Sequence, residues 1–303
     1  MKIESALTVF GKDASSFIPV LQKVVRKLGT YRYNFFLEDE FGKILSKDIR
    51  KGLQIYWLEI LYRAHLSAAS SLVRSHRWID GILLEKEHDN YHAFMGCFRG
   101  FLESAADTFD AFQFITAELA QAHTVISQAV VGNLNQMILA PHLEEQLIHF
   151  THAREISKGT TAPESHRAKR TKDYLESLVF TPDKQIAECY HELCEVTHPA
   201  AASVMCFLNL EQATSGMKYK FDPNFDRGLI LDFCESYSDI MLRVMSLGIS
   251  PPLATLRLLN EFPVRELHTV GINGSGIETT LVWKEIQEKL AAFGPLNISN
   301  STG

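Results

Sequence analysis

The chain has 303 residues, of which 46% are hydrophobic and 22% charged, with a mean hydropathy of −0.04. These values are ordinary for a soluble globular protein, with material for one large core or two small ones. The formal net charge of −6 excludes a global basic field that would attract nucleic acid or an anionic membrane, so any such binding needs a local patch.

The N-terminus, Met1-Lys2-Ile3-Glu4-Ser5, has no charged region followed by a long apolar run. No segment approaches about 18 uninterrupted apolar residues, so neither a signal peptide nor a membrane span is expected. The cytoplasm is the expected compartment. Five cysteines (Cys97, Cys189, Cys194, Cys206 and Cys234) form an odd set without a C-x-x-C pair. They read as buried free thiols in a reducing compartment.

Apolar periodicity predicts helix almost throughout. A short amphipathic helix is expected over 14–28, then an aromatic connector over 31–44. A long helix follows over 46–87, with Leu53, Tyr56, Trp57, Ile60, Leu61 and Ala64 recurring at three and four, and Gly81 as a candidate break. The strongest helical pattern is 90–130, where Phe94, Phe98, Phe101, Leu102, Ala105, Phe109 and Phe112 form one stripe. Pro141 suits a first helical turn. Residues 157–165 read as a linker.

Helices are then expected at 165–180 and 182–212, the latter starting at Thr181-Pro182-Asp183. A lone extended segment is expected over 217–221 and a turn at Asp222-Pro223-Asn224. Further helices follow at 226–247, 252–262 and 278–292, a loop at Gly271–Gly276, and a disordered tail from Gly294. The expected fold is an all-α, single irregular helical bundle spanning 1–303. Its N-terminal helix and connector occupy 1–45, its core bundle 46–265, and its last helix and tail 266–303.

The richest chemistry lies in Tyr190-His191-Glu192-Leu193-Cys194-Glu195-Val196-Thr197-His198-Pro199. His191, Glu195 and His198 stand at i, i+4 and i+7 of one helix face. His191 and Glu195 are weak metal-ligand candidates, while His198 lies about 10 Å along the axis from His191, too far for all three to share one ion easily. Pro199 forbids the usual bond to the carbonyl of residue 195, so a kink or break is expected there. The alternative is a solvated or capping polar face. On the 90–130 helix, Arg99, Glu103, Asp107 and Asp110 also share a face, a site if partly buried and otherwise a solvated flank.

E-x-x-H occurs at Glu85/His88, Glu188/His191 and Glu195/His198, and two such motifs with Glu59 and Glu103 would suit a di-iron bundle. With 12 histidines, about one such match arises by chance. Arg154, Lys158, Arg167, Lys169, Arg170 and Lys172 make a basic segment that could contact RNA phosphates or another anion, or simply flank a solvated linker. No phosphate-binding glycine loop, G-x-S-x-G or H-E-x-x-H is present, and no cofactor is indicated.

The stretch Cys97–Ser104 resembles an R-x-x-x-E helix, and Tyr190-x-x-Leu193-x-x-x-x-His198-Pro199 resembles a Tyr…Leu…His-Pro helix. Together, over about residues 50–225, they are similar to uncharacterised bacterial helical proteins that border the HEPN superfamily, some linked to abortive infection of phage. The resemblance implies a compact helical bundle with an RNA-related or defence-related role. One departure matters. The HEPN ribonuclease signature sets an arginine and a later histidine in one helix with about four to six residues between them, and no arginine precedes His198 at that spacing. Arg63, Arg74 and Arg99 likewise lack a following histidine there. The form left open is a split site in which Arg99 and His198 meet between helices.

The leading expectation is therefore an internal polar site of Arg99, Glu103, Tyr190 and His198. Arg99 would bind an anion and His198 would act as acid/base or hydrogen-bond donor. Two alternatives stand beside it. One is a non-catalytic interaction module, homo-oligomers included. The other is a metal-dependent bundle enzyme.

Overall fold

A computed structural model describes residues 3–157, 159–178, 184–213, 216–221, 225–272 and 276–292. The protein is all-α: 74% of it is helical, with thirteen α-helices and one small two-stranded sheet among the described residues. The first helices are α1 (Ile3–Ser15), α2 (Phe17–Leu28), α3 (Glu38–Leu45), α4 (Ile49–Glu87) and α5 (Tyr91–Gln121). Next come α6 (His123–Val130), α7 (Pro141–His152), α8 (Thr171–Leu178), α9 (Lys184–Thr197) and α10 (Ala201–Met205). Strands β1 (Leu208–Ala213) and β2 (Gly216–Phe221) precede α11 (Phe225–Ser236), α12 (Ser238–Leu259) and α13 (Leu281–Ala292). Among the described residues, no helix is long and apolar enough to cross a membrane.

The structure differs from the periodicity in several places. Helix α1 falls where no element was expected, and Gly11 interrupts it with a φ of 71°. The expected connector includes the short helix α3. Gly81 does not break α4: a Cβ there would lie 2.9 Å from Cys97 Sγ, so the missing side chain serves close packing. The helix expected over 182–212 ends at Thr197, resumes briefly as α10, and gives way to β1. Strand β1 pairs antiparallel with β2, so the extended segment at 217–221 is half of a hairpin. Pro251 and Pro252 lie inside the continuous α12, because a φ fixed near −65° is itself helical. The starts and turns expected at Thr181–Asp183, Asp222–Asn224 and Asn273–Ser275, and the tail from Gly294, lie outside the described residues.

The chain divides into two compact units, each drawn from three stretches. The first contains Met1–Gln22, Val73–Asp107 and Thr171–Ile249. Its core is the aromatic stripe of α5: Phe94, Phe98 and Phe101 are fully buried. Phe233 of α11 meets Phe94 and Phe98 edge-on, at 6.0 and 5.7 Å between ring centres. A Cβ on Gly100 would lie 2.6 Å from the Trp78 ring, and Trp78 Nε1 donates to Ser104 Oγ at 3.0 Å. Glycine here lets the indole lie against the α5 backbone.

The second unit contains Lys23–Leu72, Thr108–Arg170 and Ser250–Gly303. Leu53, Trp57, Ile60, Leu61 and Ala64 are all buried, and Tyr56 is half-buried with its hydroxyl accepting from the Ala140 N–H at 3.0 Å. His65 is fully buried. It shares a hydrogen bond with the Tyr33 hydroxyl at 2.7 Å and lies 3.3 Å from Thr269 Oγ1, with the Tyr31 ring 4.3 Å away.

Burial lowers the His65 pKa from 6.5 to about 4. The unfolded chain therefore takes up a proton near pH 6.5, and the folded one only near pH 4. Stability present above pH 6.5 falls across that window as pH drops, by up to about 3 kcal/mol. Urea unfolding at pH 7.5 and pH 5 is expected to show this loss in the wild type and to show it much reduced in His65→Gln. An identical pH slope in the two proteins would contradict the assignment.

Candidate functional site

Arg99 lies on the half-buried face of α5, one residue from the core stripe, and Glu103 is one turn further on. Both are partly shielded, with side-chain exposures of 23% and 31%. Arg99 Nε donates to Glu103 Oε1 at 3.0 Å. The Tyr190 hydroxyl, from α9, donates to the same carboxylate oxygen at 2.9 Å. Arg99 Nη1 donates to Thr197 Oγ1 at 3.0 Å and contacts His198 Nε2 at 2.9 Å. The guanidinium carbon lies 5.8 Å from the centre of the Tyr190 ring. The four residues singled out in the sequence thus touch one another between α5 and the end of α9, all within the first unit.

Pro199 explains the placement of His198. Helix α9 stops at Thr197, and the His198 N–H still bonds to the Cys194 carbonyl at 2.9 Å. The Ala200 N–H then bonds to the His198 carbonyl at 2.7 Å in a tight turn. This leaves His198 exposed at the helix end, above Arg99. Thr197 was not singled out in the sequence. Its hydroxyl donates to the Leu193 carbonyl at 2.6 Å and accepts from Arg99. The only trace of this in the sequence is a threonine in the last turn of a helix, where such back-bonding is common.

The protonation states follow from the bonding. Burial works against the Arg99 charge, but the hydrogen bond to Glu103 and the charge interactions with Cys194, Glu103 and Tyr190 together outweigh it and raise the pKa above its ordinary value. Burial and the bond to Glu103 likewise hold Tyr190 protonated, with its pKa well above 10. Since arginine only donates, the contact with His198 requires an unprotonated Nε2, hence the neutral imidazole with its proton on Nδ1. Two donors stay open at this junction. Among the described residues, neither Arg99 Nη2 nor His198 Nδ1 has a hydrogen-bond partner.

Other candidates lie apart from this cluster. Asp107 accepts from Arg74 at 2.6 Å, and Asp110, in the second unit, pairs with Lys169. His191 and Glu195 are exposed on α9. Glu59 accepts from the Phe36 N–H at 2.6 Å, and Glu85 from Asn90 at 2.9 Å. Among the described residues, no group of three or more His, Cys, Asp or Glu is gathered as a metal ion would need.

The basic segment is partly neutralised locally. Arg167 lies 3.4 Å from Glu164, Lys169 pairs with Asp110, and Lys172 lies 3.6 Å from Glu176. Arg154 is clipped by backbone bonds to His166 and Ala168, closing the expected linker into a loop. Lys158 lies outside the described residues. The five cysteines are free thiols; Cys189 and Cys234 are buried and the other three half-buried.

Comparison of the chain with protein-family models, with curated proteins and with solved structures finds no match. The functional reading therefore rests on the site itself.

Proposed function

We propose that the first unit carries a binding site for an oxyanion, the phosphodiester of RNA being the leading source, with Arg99 as anchor and His198 as proton carrier. One observation carries this reading: Arg99 Nη2 and His198 Nδ1 keep open donors at a junction where Glu103 Oε1 and Thr197 Oγ1 are already bonded. A guanidinium donor and an imidazole donor open side by side suit an anion. Glu103, Thr197 and Tyr190 fix the plane of the guanidinium and are positioning residues. Arg99 and His198 would meet across two elements in place of the single-helix HEPN spacing, in keeping with the RNA-related or defence-related role implied by the resemblance.

The test is binding of a short single-stranded RNA and of inorganic phosphate to the whole chain. His198→Gln is expected to weaken both several-fold at unchanged unfolding midpoint. Cleavage of the RNA by the wild type, lost in His198→Gln, would make the histidine catalytic. Wild-type affinity for both anions in the variant would sink the reading.

A second reading, an interaction module, draws on the β1–β2 hairpin. Its register puts Leu208, Leu210, Gln212, Met217, Tyr219 and Phe221 on one uncharged face. Met217 and Phe221 are 73% and 74% exposed. An isolated two-stranded hairpin is marginal in water, so a covering partner would stabilise it. Sedimentation of the wild type against Phe221→Asp tests this for a second copy of the chain.

A further inference from the structure

Beside the Tyr190 ring lies a cavity of about 430 Å³ between α8 and α9, lined by Leu175, Ile186, Ala187 and Tyr190, with Lys172 and Glu176 among its wall residues. The oxyanion reading does not use it. Its volume lies in the range of small-molecule sites, and such sites combine apolar walls with a few polar groups.

We propose that this cavity binds a small amphipathic acid, a monocarboxylate with an unbranched or aromatic hydrocarbon body. Leu175, Ile186, Ala187 and the Tyr190 ring offer the body no hydrogen-bonding group, because the Tyr190 hydroxyl is already directed to Glu103. A body with internal polar atoms would lose its water without compensation. The head group meets Lys172. That ammonium is 78% exposed, and its ion pair with Glu176, itself 65% exposed, spans 3.6 Å. Such a pair is worth little in water, so Lys172 can turn to a ligand carboxylate at small cost. The one carboxylate among the wall residues, Glu176, opposes an anionic head and would be left to solvent, while Glu103 behind the Tyr190 ring already accepts from Arg99 and Tyr190.

The opposed signs of Lys172 and Glu176 make the proposal directly testable by calorimetry on the full chain. The probes are decanoate and decylammonium below their micelle concentrations. Decanoate is expected to bind saturably and decylammonium at least tenfold more weakly. Lys172→Gln should weaken decanoate several-fold, Glu176→Gln should tighten it, and Ala187→Trp, at an exposed position that tolerates bulk, should lower affinity at least tenfold. Equal binding of both probes, no saturable heat with decanoate, or an unchanged affinity in Ala187→Trp would overturn it. None of these variants touches Arg99 or His198, so the result is independent of the oxyanion reading.

Discussion

Arg99→Lys is expected to lower affinity for phosphate and for single-stranded RNA at least tenfold, about 1.4 kcal/mol, while leaving stability within about 1 kcal/mol of wild type. The charge is kept, so a purely electrostatic role would survive the change. What is lost is the fork. Arg99 Nε and Nη1 hold Glu103, Thr197 and His198 at once, at 3.0, 3.0 and 2.9 Å, while Nη2 stays open. A lysine presents one ammonium on a flexible stem and cannot keep three fixed partners and a free donor pair. Side-chain exposures of 23% and 31% mean that solvent already screens the Arg99–Glu103 pair, which is why stability changes little. Titration with phosphate, read alongside a urea unfolding curve, separates the two effects. A lysine variant with wild-type affinity would show that only charge matters there.

Phe98→Ala is expected to have the opposite profile, a loss of about 3–5 kcal/mol in the stability of the first unit. Phe98 is fully buried and meets Phe101 and Phe233 edge-on, at 6.4 and 5.7 Å between ring centres. Removing the ring leaves a cavity at the joint of α5 and α11, and both partner rings lose an edge contact. The neighbouring Arg99 is displaced only as the unit unfolds. Phosphate affinity measured well below the unfolding transition should therefore stay near wild type. The check is the unfolding midpoint in urea: a loss under about 1 kcal/mol would mean that the ring is not part of a close-packed core.

The two substitutions sit at adjacent positions of one helix and separate core from site. That separation is also the measure of what the sequence made legible. The stripe Phe94, Phe98, Phe101 repeats at three and four, and such a repeat fixes both the helix and its buried face before any partner is known. Arg99 and Glu103, one turn apart beside that stripe, read either as a partly buried site or as a solvated flank, and the structure leaves them with side-chain exposures of 23% and 31%. Pro199 removes the donor that would continue α9, and the helix stops at Thr197 as the sequence predicts.

The failures were equally physical. Periodicity alone extends the helix of α9 to residue 212, but the antiparallel register of 208–213 with 216–221 comes from a second segment that local periodicity does not see. Gly81 looked like a break because its contact with Cys97 lies on another helix. The gap expected between helices at 226–247 and 252–262 is absent, because α12 continues through Pro251 and Pro252.

The sequence by itself determined the all-α class, the helix faces and the residue types available for chemistry, because these follow from the period of the backbone and the side chains it carries. Only the tertiary structure decided that Arg99 meets His198 across 99 positions of chain, that Thr197 completes the clamp, and that the Tyr190 ring walls a cavity. Those facts depend on which helices pack and at what rotation, and no local stretch of sequence encodes a distance to a partner elsewhere in the chain.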